Sequence, residues 1–317
     1  MRHQTELRTP SHSAITVGVT DRDLSSATYI PPPLLLLAGI ASVQVGNAWA
    51  DTLFHQVGAG GAGLMRLAWA MVILMLLYRP VLHGRSREEW LSAGALGLVL
   101  ACMNLTFYHA IARLPLGIAV TVEFIGPLAV AVAHSHRRRD LLWVLLAAVG
   151  ILSLAHGDTH DLSALGLALA AAAGGFWGLY ILVQARMGRA FSDGSGLALA
   201  MLVATIVALP DGLGEGGSAL LHPGVIAVGL AVGLLSSVIP YSVELAVLRR
   251  MSPGIFGVLM SMEPVAAALA AVVILGQGLS TREVLGMALV TSASAGASIS
   301  GATPTTRTPA TEDLGPD

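Results

Sequence analysis

Asn104–Ala131 reads NLTFYHAIARLPLGIAVTVEFIGPLAVA, two apolar stretches joined by a tight corner at Arg113-Leu114-Pro115. A single carboxylate, Glu123, falls in the middle of the second stretch, and Gly126-Pro127 follows it. An acid at mid-helix in lipid costs about 2.5–3.5 kcal/mol on insertion scales, so such a residue faces a bundle interior and is a functional site by default. The corner, the apolar flanks and the buried acid together predict an all-α membrane protein built around interior polar groups.

Composition agrees. The 317 residues are 55% hydrophobic and only 11% charged, with mean hydropathy +0.74, against about 25% charged residues in a soluble domain. The single cysteine, Cys102, excludes an intrachain disulfide and reads as packing. A net charge of −2 gives no electrostatic reason for a nucleic-acid partner. There is no Gly-rich phosphate loop of the Walker type, so neither ATP nor another cofactor is expected. No metal site is expected either: His134-Ser-His136, just before Arg137, Arg138 and Arg139, reads as a headgroup-facing turn.

A spanning helix needs about 20 largely apolar residues. Ten stretches qualify, at 34–54, 59–79, 90–112, 115–134, 141–156, 162–185, 194–210, 223–248, 253–275 and 282–300. Residues 1–33 read as a polar cytoplasmic tail and 301–317 as a disordered one. With the N-terminus in the cytoplasm, the arginines of the tails and of the loops near 79–87, 137–139, 186–189 and 249–250 all fall inside, while only Arg113 and Arg282 fall outside. That asymmetry satisfies the positive-inside rule, and the even number of spans puts both termini in the cytoplasm.

The chain also echoes itself. Shifted by 137 residues, Arg113-Leu-Pro-Leu-Gly117 falls on Arg250-Met-Ser-Pro-Gly254, and Gly126-Pro127 falls on Glu263-Pro264. Gln44, Asn47 and Asp51 share a spacing with Trp177, Tyr180 and Gln184, and each set lies on one helical face. Two five-helix repeats, 34–156 and 162–300, must lie in opposite orientations because five is odd. Inverted repeats are an architecture of secondary transporters, with the binding site near the midplane.

Glu123 and Glu263 lie at mid-span, and Glu244 lies in the inner half of the eighth span. Glu123 is the leading candidate for binding a proton or a substrate amine; the alternative is a glutamate hydrogen-bonded between helices. Pro127, Pro240 and Pro264 are expected to kink their helices, each leaving a carbonyl one turn back without its donor and so a polar spot near a glutamate. Ordinary packing kinks are the competing reading. Asn104, Tyr108, Gln44 and Asn47 could supply donors and acceptors to a small zwitterion, or could simply join neighbouring helices. Trp177, Tyr180 and Tyr241 are candidates to line a cavity. Asp51 and Arg66 lie toward the outer ends of the first two spans and are expected to pair as an outer gate or a structural salt bridge. The small-residue runs Gly58–Gly63 and Ala170–Gly175 should permit close helix approach.

Together, Ala41-Ser-Val-Gln44, Phe107-Tyr108, Pro115-Leu-Gly-Ile-Ala-Val120, Glu123-Phe-Ile-Gly-Pro127, Ile239-Pro-Tyr-Ser242 with Glu244, and Phe256-Gly257 through Met260-Ser-Met-Glu-Pro264 form a specific pattern. It resembles the EamA-type drug/metabolite transporter superfamily, most closely its threonine/homoserine exporter branch, over about residues 34–300. The resemblance implies proton-coupled export of a small metabolite, such as threonine or homoserine, across the bacterial inner membrane. The partners implied are that small-molecule substrate, protons and the lipid bilayer, and a homodimer is compatible with the chain. Gln277 stands where relatives often have Glu, and Asp51 where they often have Lys; both bear on substrate choice. A broader efflux pump for drugs or lipophilic cations is the alternative within transport. An intramembrane enzyme using Glu123 and Glu263 as acid and base lacks an obvious nucleophile or metal cluster.

Overall fold

The first helix, α1, runs Pro32–Tyr78 with one interruption: Gly58 adopts φ 70° and ψ 175°. That region of backbone space is essentially restricted to glycine. The connector expected between the first two spans therefore shrinks to a single residue. The computed structural model describes residues 31–133, 141–155, 162–191, 193–248, 250 and 253–301. The expectations for both tails, for His134, His136 and Arg137–Arg139, and for Arg249, lie outside the described residues.

All regular structure among the described residues is helical. After α1 come α2 (Arg87–Ile111), α3 (Leu116–Glu123), α4 (Ile125–Ala133), α5 (Leu141–Ala155), α6 (Ala164–Ala190) and α7 (Ser195–Gly216). They are followed by α8 (Pro223–Gly233), α9 (Ile239–Leu248), α10 (Pro253–Met260), α11 (Glu263–Leu275) and α12 (Thr281–Gly301). Local chemistry sets several ends. A capping box opens α2, with Ser86 Oγ accepting from the Glu89 N–H and the Glu89 carboxylate accepting from the Ser86 N–H. Ser280 and Glu283 repeat the device at α12. Such caps stabilise a helix by about 1 kcal/mol each. Gly276, left-handed at φ 64°, stops α11.

Three expected continuous spans are broken. The span at 115–134 is interrupted at Phe124, and the one at 253–275 at Ser261–Met262. The span at 223–248 passes through a π-helical segment, Leu234–Val238, just before Pro240. Each break sits within three residues of a proline, whose missing N–H and ring disrupt the ladder one turn back. In the opposite sense, α7 does not end at 210. It carries Pro210 inside the helix, exposed, and continues to Gly216. Among the described residues, six helical segments are long and apolar enough to cross a membrane, and Leu116–Val130 and Leu141–Ser153 are shorter apolar helices. Ten separate spans were expected; two of them form the single run α1. Large apolar side chains such as Leu76, Leu145, Leu165, Leu269 and Val273 are exposed on the bundle, as a lipid-facing surface requires.

α1 packs chiefly on α7, α2 on α6 and α7, α5 on α12, and α3 on α11. α4 and α6 cross where both are glycine. A Cβ on Gly126 would fall 1.8 Å from the Gly174 carbonyl oxygen, and one on Gly174 would fall 2.4 Å from the Glu123 carbonyl oxygen. Backbone thus meets backbone beside Glu123, which is the close approach expected of 170–175. Gly126→Ala should destabilise the protein by at least the ~1–3 kcal/mol typical of overpacking, seen as a lower melting temperature in detergent. Gly175→Ala, with nothing within 4 Å of the added carbon, is the control. Equal melting of the two variants would contradict this packing.

Candidate functional site

The broken helices surround a cavity of about 990 Å³. Glu123 is the last residue of α3 and Glu263 the first of α11, so each carboxylate stands at a helix interruption rather than on an unbroken cylinder. Glu244 reaches the same cavity from α9. The three acids are close enough for Glu263 to interact electrostatically with both of the others. Asn47, Asn104, Trp177, Tyr180 and Tyr241 also line the cavity, as do Pro127 and Pro240.

Aromatic contacts shape the walls. Trp177 meets Phe124 edge to face at 5.1 Å, and Tyr180 lies 6.2 Å from Tyr241. Asn104 is nearly fully buried, and its amide donates to the Leu100 carbonyl at 2.8 Å. The Tyr180 hydroxyl and the Gln184 carbonyl oxygen are buried without a hydrogen-bond partner, and both residues line the cavity. Polar atoms of this kind are satisfied by water or by a ligand.

Not every predicted residue arrives there. Gln44, Tyr108 and Pro264 are outside the lining. Tyr108 is completely buried, packed edge-on with Phe54 and Phe107, and forms a floor beneath Arg66. Asp51 is partly buried and does not line the cavity.

The expected pairing of Asp51 with Arg66 is replaced by another arrangement. The salt bridges among the described residues are Arg85–Glu89 and His109–Asp211. Arg66 lies eight residues beyond the Gly58 break, about 12 Å along the helix at 1.5 Å per residue, and turns inward. Its Nε donates to Ser237 Oγ at 3.0 Å, Nη1 to Asn47 Oδ1 at 3.2 Å and Nη2 to the Ser236 carbonyl at 2.7 Å. The first and the last of these bonds go to the π-helical segment, where widened hydrogen bonding frees carbonyls such as that of Ser236. Sequence spacing gave no sign of that segment, so it gave no sign of these partners.

At one end the lining reaches the α6–α7 connection, with Met187, Phe191, Asp193 and Gly194. Here Ser195 Oγ donates to Asp193 at 2.6 Å, which holds that carboxyl below the usual carboxylate range. Arg85 donates to Ser195 and stacks over Phe191 at 5.0 Å. Away from the cavity, further polar contacts join the helices. The Gly60 N–H donates to Glu215 at 2.7 Å, His109 Nε2 lies 3.0 Å from Asp211, and the Leu116 N–H donates to Gln277 Oε1 at 3.2 Å. None of these residues lines the cavity. Gln277 therefore places an acceptor over the start of α3.

Ligand atoms of His109, Asp211 and Glu215 lie within 4.8 Å of one another, and each residue also has a protein partner. Asp211 and Glu215 lie just past 210, where the seventh span was expected to end, on the part of α7 that runs on to Gly216.

A helical membrane bundle with a charged interior cavity has the form of a transporter. The sequence profile of the EamA-like transporter family matches residues 164–299. The threonine/homoserine exporters RhtA of Escherichia coli (strain K12) and Salmonella typhimurium (strain LT2) are each 40% identical to the chain over 272 residues, 84% of this chain and 91% of theirs. The chain belongs to the EamA-like transporter family, on its RhtA-like branch, and so stands with transporters rather than enzymes. One crystal structure, 18% identical, superposes with a TM-score of 0.57 over 86% of this chain and 99% of that one, a likeness of fold.

Proposed function

We propose that this protein exports small amino acids such as threonine and homoserine across the bacterial inner membrane in exchange for protons. The observation that carries this reading is the cavity's charge pattern: one guanidinium, Arg66, and three carboxylates, Glu123, Glu244 and Glu263, on one wall set. A zwitterion offers one group to each sign. The RhtA relatives are named for threonine and homoserine.

In this reading the chain makes ten spans in two inverted repeats, 34–156 and 162–300. Element register supports it. On the 137-residue shift, α3 (Leu116–Glu123) coincides with α10 (Pro253–Met260), the break at Phe124 with that at Ser261, and the end of α2 at Ile111 with the end of α9 at Leu248. Gly58 divides α1 into two spans. With both termini cytoplasmic, as the arginines suggest, the cavity faces the cytoplasm and the contacts of Glu215, His109 and Gln277 seal the outer side. The two halves then rock about the cavity to alternate access.

The abundance of acids and aromatics in the cavity also suits a lipophilic cation, which is the second reading. Counterflow separates the two. Proteoliposomes loaded with threonine should accumulate labelled threonine and homoserine, and an imposed pH gradient should drive net movement. Accumulation of a dye cation with none of either amino acid would overturn the proposal in favour of the second reading.

A further inference from the structure

Arg66 is 5% exposed and is the one cationic side chain among the described residues that line the cavity. Its three hydrogen-bond acceptors, Ser237 Oγ, Asn47 Oδ1 and the Ser236 carbonyl, are all neutral. No salt bridge among the described residues includes it. A guanidinium has five N–H donors. Three are committed here, which leaves N–H groups on the terminal nitrogens, and a guanidinium suits a carboxylate. Glu123 acts on Arg66 only through space, without a salt bridge, and a buried cation that lacks a directly paired anion is costly. If Arg66 only tied α1 to the π-helical segment, a neutral amide could make the same kind of hydrogen bonds without that cost.

We infer that Arg66 is the binding residue for the substrate's carboxylate, while the glutamates that line the same cavity receive its ammonium group. The inference rests on the amino-acid reading and deepens it by assigning the two ends of the zwitterion to different residues of the cavity. The three neutral bonds fix the plane of the fork and leave its charge for the ligand. The face of Tyr108, 5.6 Å from Arg66 Cζ, backs the cation from the other side.

The test compares threonine with threonine amide, which keeps the ammonium and the hydroxyl but lacks the anion. In counterflow, wild-type protein should prefer threonine. Arg66→Gln should lower threonine exchange tenfold or more and leave exchange of the amide within about twofold, reversing the preference. Arg66→Lys keeps the charge without the fork and should fall between. Because either variant could fail to fold, a measurement on wild-type protein stands beside them: threonine should raise the melting temperature in detergent more than the amide at equal concentration. Equal loss of both substrates in a folded Arg66→Gln protein, or equal protection of wild type by both, overturns this assignment and leaves amino-acid export intact. Wild-type protein that exchanges the amide but no zwitterionic amino acid overturns the amino-acid reading, and this assignment with it.

Discussion

Glu123→Gln is expected to lower pH-gradient-driven transport about ten- to a hundredfold, the scale of one lost hydrogen bond to a charged group. The substitution keeps the volume but removes the charge and one acceptor oxygen, and it cannot release a proton. Glu123 is 8% exposed and lines the cavity at the end of α3. Its backbone is locked against Gly174, so the carboxylate has a fixed position from which to meet a substrate amine. Arg66 and Glu263 are both within electrostatic reach. Neutralising Glu123 therefore changes the charge balance of the whole cavity. Net movement of labelled threonine under an imposed pH gradient, in reconstituted vesicles, is the measurement. Driven transport at the wild-type rate would sink the role assigned to Glu123. Glu263→Gln is the matched comparison: a dead Glu263 variant beside an active Glu123 variant would move proton coupling to α11.

Gly58→Val is expected to have the largest effect on folding. The backbone at φ 70° and ψ 175° is strained for any side chain, at about 1–3 kcal/mol. A Cβ there would also lie 2.3 Å from a Glu215 carboxylate oxygen and 2.9 Å from Glu215 Cβ, adding an overpacking cost of about 1–3 kcal/mol. The displaced Glu215 would in turn give up the Gly60 N–H. A lower melting temperature in detergent and less folded protein in the membrane should follow. Gly94→Ala, where the new carbon meets nothing within 4 Å inside α2, should instead be neutral or stabilising by up to about 1 kcal/mol from helix propensity. Melting of Gly58→Val within the error of wild type would show that the break does not depend on glycine.

Much of the site was legible because burying charge in lipid is costly. Glu123, Glu244 and Glu263 stood out in apolar runs, and all three line one cavity. Helical periodicity gave the face carrying Asn47 and that carrying Trp177 and Tyr180, which line it too. Periodicity failed wherever the backbone left the regular helix. The π-helical turn at 234–238 has no sequence signature in Leu-Leu-Ser-Ser-Val, and the seventh span was expected to end at 210 although α7 runs on to Gly216. Those two departures hid the partners of Arg66 and the contacts of Asp211 and Glu215.

The sequence by itself determined the membrane class, the helical composition, the intramembrane acids, the proline-marked breaks and the relationship to the RhtA exporters. These follow from local quantities: hydropathy, spacing and residue identity. Only the tertiary structure decided that Arg66 turns into the cavity rather than toward Asp51. Its partner Ser237 is 171 residues away in the chain. A helix specifies which side chains share a face, but packing decides which distant backbone lies opposite that face, and a buried cation takes its partners from there.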